Sequence, residues 1–473
     1  MAILAMRPTG VSPVKKGQEC RAGTALRRMG ETPMPPKTAK FRCSATTSSI
    51  SRRSFVKGVA AAIAAPYVIT SSALGAPGTP PASERITLGF IGLGSQGIER
   101  NLGMFLNEGD AQPVALCDVD TQRIPGAMNR VRQRFGSGYT CQITQDWREV
   151  VARGDVDAVV ISTPDHWHAP ISLAALRCGK DVICEKPTLT VQEGRVLADT
   201  VKRYGAVFQT ATEDRSLGMY HRMAELVRNG RVGKLQRIHV KLPAGPGGPG
   251  DPTPCPVPKN LDYDMWLGPA PWAPYCPGRV HGNFRWVRDY SGGQFTDWGA
   301  HLLDTAQWAN DTERTGPVEV EGVGKRHGSG LYDTYYDYHL TCKYAGGVEL
   351  IVDSGGVAIR FEGTDGWVGN DGWTGPVQAS SRQILTSVIG PEEIHLFTCP
   401  AGEQRNFLDC VKARGDPYFP AEIGHRCCTI AHIGNIAMDL GCKLRWDPRA
   451  ERFTNNETAN RMLSRACREP WGL

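Results

Sequence analysis

Three groups of residues in this 473-residue chain have types and spacings suited to chemistry. The first is Gly92-Leu93-Gly94-Ser95-Gln96-Gly97, which follows the apolar run Ile86–Ile91 and opens a helical pattern over Ser95–Leu106. In a strand–turn–helix context, G-x-G-x-x-G is a dinucleotide cradle. Gly92 permits the tight turn, Gly94 lets the backbone approach a pyrophosphate, and Gly97 allows close packing of helix on strand. The amides and positive dipole end of the helix then face the phosphates. Asp118 closes a second strand, Pro113–Cys117. A carboxylate about 20 residues past the last glycine accepts both ribose hydroxyls and repels a 2′-phosphate, so NAD is expected over NADP. Arg123, just over one helical turn onward, would soften that preference.

The second group comprises Ser162-Thr163-Pro164-Asp165-His166-Trp167-His168 and Glu185-Lys186-Pro187, each directly after an apolar strand. Ligands of open α/β sheets bind outside the carboxyl ends of strands, so Thr163, Pro164, His168, Glu185 and Lys186 should face the cofactor crevice. An ammonium at Lys186 would be a fixed charge or donor able to polarise a substrate hydroxyl or carbonyl. The third group is Gly292-Gly293-Gln294-Phe295-Thr296-Asp297-Trp298-Gly299-Ala300-His301-Leu302-Leu303-Asp304. Spacing four puts Asp297 and His301 on one helical face, and Asp304 follows three residues later. A histidine one turn from a carboxylate suits proton transfer, and the same spacing equally suits a purely structural pair. No metal is expected, since neither sulfur nor a third imidazole accompanies the pair. His281, Arg285 and Trp286 suit either a carbohydrate platform or core packing.

The elements that must position these groups alternate. Strands are predicted at Asp157–Ser162, Asp181–Cys184 and Ala206–Thr210, and helices at Ile171–Cys178 and Val191–Tyr204, giving a doubly wound parallel sheet. Pro243–Pro258 and then Leu261–Trp272 read as a helix-free ordered loop, over the site or as a spacer. Gln404–Ala413 and Gly424–Leu440 have helical spacing and should pack back on both domains.

Composition narrows the function classes. Apolar residues make up 41% and charged residues 22%, an ordinary globular balance. Mean hydropathy is −0.31 and no charge-free run of 18 apolar residues occurs, which excludes a multi-span membrane protein. Residues 1–76 hold 12 Lys/Arg and 2 Asp/Glu, so the formal charge of +6 resides in the leader and the body is mildly acidic. Nucleic acid is therefore not an expected partner. The 15 cysteines show no C-x-x-C pair and read as small core residues.

GLGSQG at 92–97, CDVD at 117–120, STPDHWH at 162–168 and EKP at 185–187 together resemble the Gfo/Idh/MocA oxidoreductases, from about residue 85 to the C-terminus. The resemblance implies a Rossmann domain, 85–211, followed by an α/β domain, 212–473, whose open, mostly antiparallel sheet covers the nicotinamide and makes contacts in a homo-oligomer, dimer or tetramer. It also implies that Lys186, Asp297 and His301 form the reacting centre, with the histidine as acid/base when a sugar, polyol or glycoside hydroxyl is oxidised. Some members instead cleave glycosides without net redox change, and an inert dinucleotide-binding module is a third alternative. Family members often have a Gln-Arg-Ser-like stretch where this chain has Glu213-Asp214-Arg215-Ser216, which leaves Arg215 as a substrate candidate.

Ser51-Arg52-Arg53-Ser54-Phe55-Val56-Lys57, then an apolar stretch to Leu74, resembles a twin-arginine export signal over residues 51–76. Residues 1–50 read as disordered or as a misassigned start. Export implies a periplasmic or extracytoplasmic location, where free NAD is scarce and the cofactor would have to be tightly held.

Overall fold

The computed structural model describes residues 80–472, so the readings placed on 1–50 and 51–76 lie outside the described residues. Six short strands form a fully parallel sheet: β1 (Ile86–Ile91), β2 (Ala111–Cys117), β3 (Gln142–Thr144), β4 (Ala158–Ile161), β5 (Asp181–Glu185) and β6 (Phe208–Ala211). Their order is β3-β2-β1-β4-β5-β6. The central strands are covered on both faces, which is why Leu88, Phe90, Ile91 and all of β4 are buried and read as unbroken apolar runs. The order reverses between β1 and β4, and the crevice above that point is where such sheets take dinucleotides.

Local signals set several elements directly. The helix Val191–Tyr204 starts where Thr190 Oγ1 accepts the Glu193 amide, and stops at Gly205 in the left-handed region. The helix at Asp165–Arg177 begins six residues before its predicted start, because Pro164 pre-sets the turn and Asp165, His166, Trp167 and His168 are all buried within it. The helix after the glycine turn is π-wound over Gln96–Leu102 and tightens over Gly103–Phe105.

The remaining strands form a nine-stranded mixed sheet: β7 (Leu235–Leu242), β8 (Glu319–Lys325), β9 (Asp337–Lys343), β10 (Glu349–Ser354), β11 (Ala358–Gly363), β12 (Trp367–Asp371), β13 (Gln378–Ala379), β14 (Leu444–Asp447) and β15 (Arg452–Phe453). Only the β7–β10 pairing is parallel. Its inner face buries Ile238, Val240, Leu340, Leu350, Ile359 and Phe361. The helix Ala421–Leu440 packs both along Val191–Tyr204 and beneath this sheet, so it joins the two halves. Glu403–Ala413 returns to the parallel sheet, placing Phe407 and Leu408 in its core. The helix-free loop expected over 261–272 instead contains one short helix, Tyr263–Leu267, which Asp262 caps by accepting the Met265 amide. Among the described residues no helix is long and apolar enough to cross a membrane, and no disulfide occurs.

Candidate active site

A cavity of about 440 Å³ opens above the carboxyl ends of β1, β2, β4 and β5. Gly92, Gly94, Ser95, Gln96, Asp118, Thr163, Pro164, His168, Glu185, Lys186, Arg285, Asp297 and His301 all line it. Gly92 has φ +91, and a Cβ there would lie 2.5 Å from Ser162 O, so only glycine makes this turn. A Cβ on Gly97 would overlap the Gly92 carbonyl, so Gly97 lies beneath the turn and not on the cavity. Leu93 does not reach the cavity either. Its side chain is buried, and its amide donates to Asp118 Oδ2 at 2.6 Å.

Asp118 also accepts the Asp120 amide at 2.8 Å. Burial pushes its carboxyl up to about 6 against the pull of these two amides. His168 is buried with Nε2 2.8 Å from Thr163 O and Nδ1 2.7 Å from Pro187 O, pinning the two motifs to each other. Burial lowers its pKa to about 4, and the neutral ring carries one N–H, so it donates to one of these two carbonyls at a time. Glu185 Oε1 accepts from Gln96 Nε2 at 2.8 Å and Asn101 Nδ2 at 2.9 Å, which ties the lysine strand to the glycine turn.

Lys186 Nζ donates to Asp297 Oδ1 at 2.6 Å and to Asp297 O at 2.9 Å. Arg285 Nε donates to the other carboxylate oxygen of Asp297 at 2.8 Å. Burial opposes the charge on Lys186, yet Asp297 and Glu185 raise its pKa above the ordinary lysine value. Burial likewise opposes ionisation of Asp297, and the two cations hold it below the ordinary carboxylate range. Lys186 is therefore a proton donor at neutral pH and not a base.

His301 is set otherwise than the spacing suggests. Trp298 interrupts the helix between Gln294–Asp297 and Gly299–Ala309, and the His301 amide bonds Trp298 O in a tighter turn. Its ring Nδ1 lies 2.7 Å from Thr212 Oγ1 and 3.2 Å from Asp214 Oδ1. In the tautomer with the proton on Nδ1, shared with Asp214, the lone pair of Nε2 would be available as a base. Asp304, the expected carboxylate one turn away, faces Arg215 instead, at 2.7 Å through both oxygens. Arg215 is buried between Trp308 and Phe419 and does not line the cavity, so its reading as a substrate group is corrected to a buried structural pair. Trp286 does not line the cavity either; its carbonyl accepts the Asp333 amide, and Phe284 lines the cavity instead.

Asp165, Asp214, Trp298 and Trp373 are among the site residues that escaped the sequence reading. The first three stand inside motifs already quoted, so position was legible and role was not. Trp373 had no local signal at all.

Asp165 accepts Ser291 Oγ at 2.6 Å, deep in the cavity wall. Burial, then the Asp297 charge, push its carboxyl up to about 8, against Ser291, Arg285 and Lys186. The positive end of the helix it opens favours the anion by only about 0.3–1 kcal/mol, too little to restore an ordinary carboxylate. The native carboxyl thus holds a proton that the unfolded chain has released, and stability falls as pH rises from about 4 to 8. Asp165→Asn is expected to remove that slope, up to about 1.4 kcal/mol per pH unit, so the variant gains on the parent as pH rises. Urea titrations from pH 5 to 9 measure the difference; parallel curves would show that Asp165 does not titrate in this window.

A second segment closes the adenosine end of the cavity. Asp120 and Leu261 form an antiparallel bridge, the Asp262 amide donates to Val119 O at 2.9 Å, and Asn260 Nδ2 donates to Asp120 Oδ1 at 2.7 Å. Trp167 Nε1 donates to Met265 O at 3.0 Å, and Met265, Trp266, His281 and Phe284 complete the wall. Trp471 packs edge-on against Trp167 at 5.0 Å from outside. The passage predicted as a loop over the site or a spacer is a strap across it.

A glycine turn at the switch point, a carboxylate at the end of β2, and a lysine–carboxylate–histidine group at the far end of one cavity define a dinucleotide-dependent oxidoreductase. Residues 86–212 match the oxidoreductase family model GFO_IDH_MocA, described as an NAD-binding Rossmann fold, and residues 247–473 match its C-terminal alpha/beta domain. The chain belongs to the Gfo/Idh/MocA oxidoreductase family. It is similar to levoglucosan dehydrogenase of Pseudarthrobacter phenanthrenivorans, 30% identical over 32% of this chain and 39% of that one. It is also similar to glycosyl hydrolase family 109 protein 1 of Shewanella sp. strain ANA-3, 32% identical over 26% and 27%. These matches span well under two thirds of either relative's length. Among solved structures, the fold is shared with the aldose-aldose oxidoreductase of Caulobacter crescentus complexed with glycerol. That match has TM-score 0.57 and 17% identity, over 76% of this chain and 99% of that one. It is shared too with the WlbA dehydrogenase of Bordetella pertussis in complex with NADH and UDP-GlcNAcA, with TM-score 0.57 and 14% identity, over 77% and 99%.

The cofactor is NAD, and the residues fit it. Thr163 Oγ1 is buried on the cavity wall with no hydrogen-bond partner among the described residues, an acceptor or donor awaiting a ligand. Gly92–Gln96 would hold the pyrophosphate, Asp118 the adenosine ribose, and Thr163 and Pro164 the stretch leading to Lys186.

Proposed function

We propose that the protein transfers a hydride between NAD and a hydroxyl-bearing carbon of a sugar, polyol or glycoside. The observation that carries this reading is the charge arrangement at one end of the cavity, where an ammonium fixed by Asp297 and an imidazole backed by Asp214 line the same space. NAD, when bound, supplies the hydride acceptor. The chain supplies the rest. Lys186 donates to the substrate oxygen and stabilises charge that develops there. His301 Nε2 accepts the hydroxyl proton, and Asp214 stabilises the imidazolium that results. Asp297 and Arg285 hold the ammonium in place, and the strap excludes water from the adenosine end.

Two further proposals rest on the leader and the strap. The chain is exported by the twin-arginine route to a periplasmic or extracytoplasmic site, and NAD travels inside the folded protein. The hydrogen bonds that join Asn260 and Asp262 to Val119, Asp120 and Thr121 support slow cofactor exchange, because they must break before the adenosine can leave. The family resemblance supports a homo-oligomer, dimer or tetramer.

A second reading, redox-neutral glycoside cleavage, draws on the similarity to the glycosyl hydrolase family 109 protein. One experiment separates the two. The purified protein is dialysed, its absorbance near 340 nm is followed on adding a panel of sugars and glycosides, and products are analysed. A rise of at most one equivalent, with an oxidised sugar as product, supports captive NAD and the dehydrogenase half-reaction. Glycoside cleavage without accumulated NADH supports the second reading. Loss of all nucleotide on dialysis with activity restored only by added NAD would overturn captive cofactor.

A further inference from the structure

Trp373 sits on the bend between β12 and β13, 72 residues after His301 in the chain, and yet it lines the active-site cavity. Its ring centroid is 4.9 Å from that of His301, at 77° to it. Trp298, also on the cavity wall, meets Trp373 at 5.1 Å and 83°, and His301 at 5.8 Å and 56°. The two indoles therefore form a right-angled corner with the candidate base at its apex. Both are half-buried. The corner is built and not incidental: Tyr220 Oη donates to Trp373 O at 2.9 Å, and the fully buried Tyr220 ring packs on the indole at 5.6 Å.

The surroundings say what would occupy such a corner. The cavity floor below it is ionic, with Lys186, Asp297 and Arg285 paired to one another, and Glu213 ion-paired to Arg100 at 3.2 Å. A ligand there meets an aromatic wall on one side and compensated charges on the other. A wholly polar, open-chain molecule would gain little from the part of each indole that lines the cavity, and a wholly apolar one would strip water from the ion pairs without replacing its hydrogen bonds. A six-membered sugar ring satisfies both, since its C–H face covers an indole while its rim hydroxyls reach the ionic floor.

We infer that Trp373, with Trp298 as the second wall, is the specificity-determining platform of the substrate site, and that it selects closed pyranose rings over open-chain polyols. The inference rests on the carbohydrate reading above and narrows it. It also relocates the aromatic platform that the sequence suggested at Trp286. A ring lying against the Trp373 face presents one edge hydroxyl toward His301, and axial hydroxyls pointing at the indole would lift the ring from it.

The test compares the wild-type protein with Trp373→Ala and Trp373→Phe on methyl α- and β-D-glucopyranoside, D-glucose and D-glucitol. NAD affinity, read by fluorescence, serves as the readout of folding and of the cofactor site. For the Ala variant, the expected result is a rise in KM for the pyranoses of about tenfold, the scale of a lost aromatic contact. The change in kcat should be smaller, the KM for D-glucitol should rise by much less, and NAD affinity should stay at the parent value. Phe should recover most of the loss, because it restores a flat face without the indole's width. Equal losses on pyranoses and glucitol would overturn the inference, as would an unchanged KM. A fall in NAD affinity would overturn it too, by assigning the indole to the nicotinamide. If the wild-type protein neither binds nor converts any member of the wider panel of sugars, polyols and glycosides, the carbohydrate reading itself fails and this one falls with it; if it uses other pyranoses than glucose, the same comparison is made on those.

Discussion

Replacing Lys186 with methionine is expected to lower kcat by about a thousandfold on any substrate that the wild-type protein turns over, with NAD affinity changed by less than about fivefold. Methionine keeps the unbranched shape and removes the charge. In the parent, the ammonium is held by the side chain and carbonyl of Asp297 and is protonated throughout the neutral range, so it is a preorganised donor that costs nothing to reorient when the substrate oxygen changes charge. Loss of one such donor in an acyl-transfer site costs about a hundred to a thousandfold, and loss of acid catalysis spans a similar or larger range. The substitution also leaves the buried Asp297 with Arg285 as its remaining cation, which adds misalignment to the loss. Lys186→Arg should recover little of the rate, because a planar fork cannot occupy the position of a compact ammonium between the two Asp297 oxygens. Steady-state kinetics with a nucleotide titration decides the matter. A methionine variant within tenfold of the parent would remove Lys186 from the reacting centre, and with it the main support for the proposed function.

Gly97→Ala is expected to abolish dinucleotide binding, with Kd for NAD raised at least a hundredfold, and to lower stability by about 1–3 kcal/mol or more. The added methyl would overlap the Gly92 carbonyl and come within 3.3 Å of Ser162 Cβ. Neither neighbour can give way cheaply. Gly92 is locked by its positive φ and by the Ser162 backbone against it, so relief must come from moving the whole turn or the helix behind it. Either movement displaces the amides that would receive the pyrophosphate and disturbs Gln96, which holds Glu185 beside Lys186. Thermal unfolding and NAD titration of the variant measure the two effects separately. Parent-like NAD affinity would mean that the pyrophosphate does not depend on this turn.

Much of the first half was legible because its determinants are local. An apolar strand running into G-x-G-x-x-G can do little else than bind a turn to a helix, and the Thr190 and Gly205 caps bound the helix between them to the residue. The carboxyl ends of β4 and β5 likewise had to meet at the crevice once the sheet was parallel. The second half was legible mainly as content. Its open, mostly antiparallel sheet was implied by the family resemblance alone, whereas the single parallel pair β7–β10 depends on which strand returns beside which. The mistaken partner of His301 has the same origin. Helical spacing offered Asp297 and Asp304, but the helix is interrupted at Trp298, and a buried guanidinium claims Asp304 with a two-pronged bond. Asp214, which does reach the imidazole, stands 87 residues upstream.

The amino-acid order was thus enough for the nucleotide cradle, since a glycine turn between strand and helix depends on steric rules that act within a few residues; the reacting roles of Lys186, Asp297 and His301 are implied by the family resemblance and not by local spacing. Close packing settled what those rules leave open. Lys186 meets Asp297 across 111 positions, Asn260 clamps Asp120 across 140, and Trp373 arrives at His301 from a distant bend. Contacts at such separations are chosen by sheet register and by the need to pair every buried charge. No periodicity along the chain encodes either one.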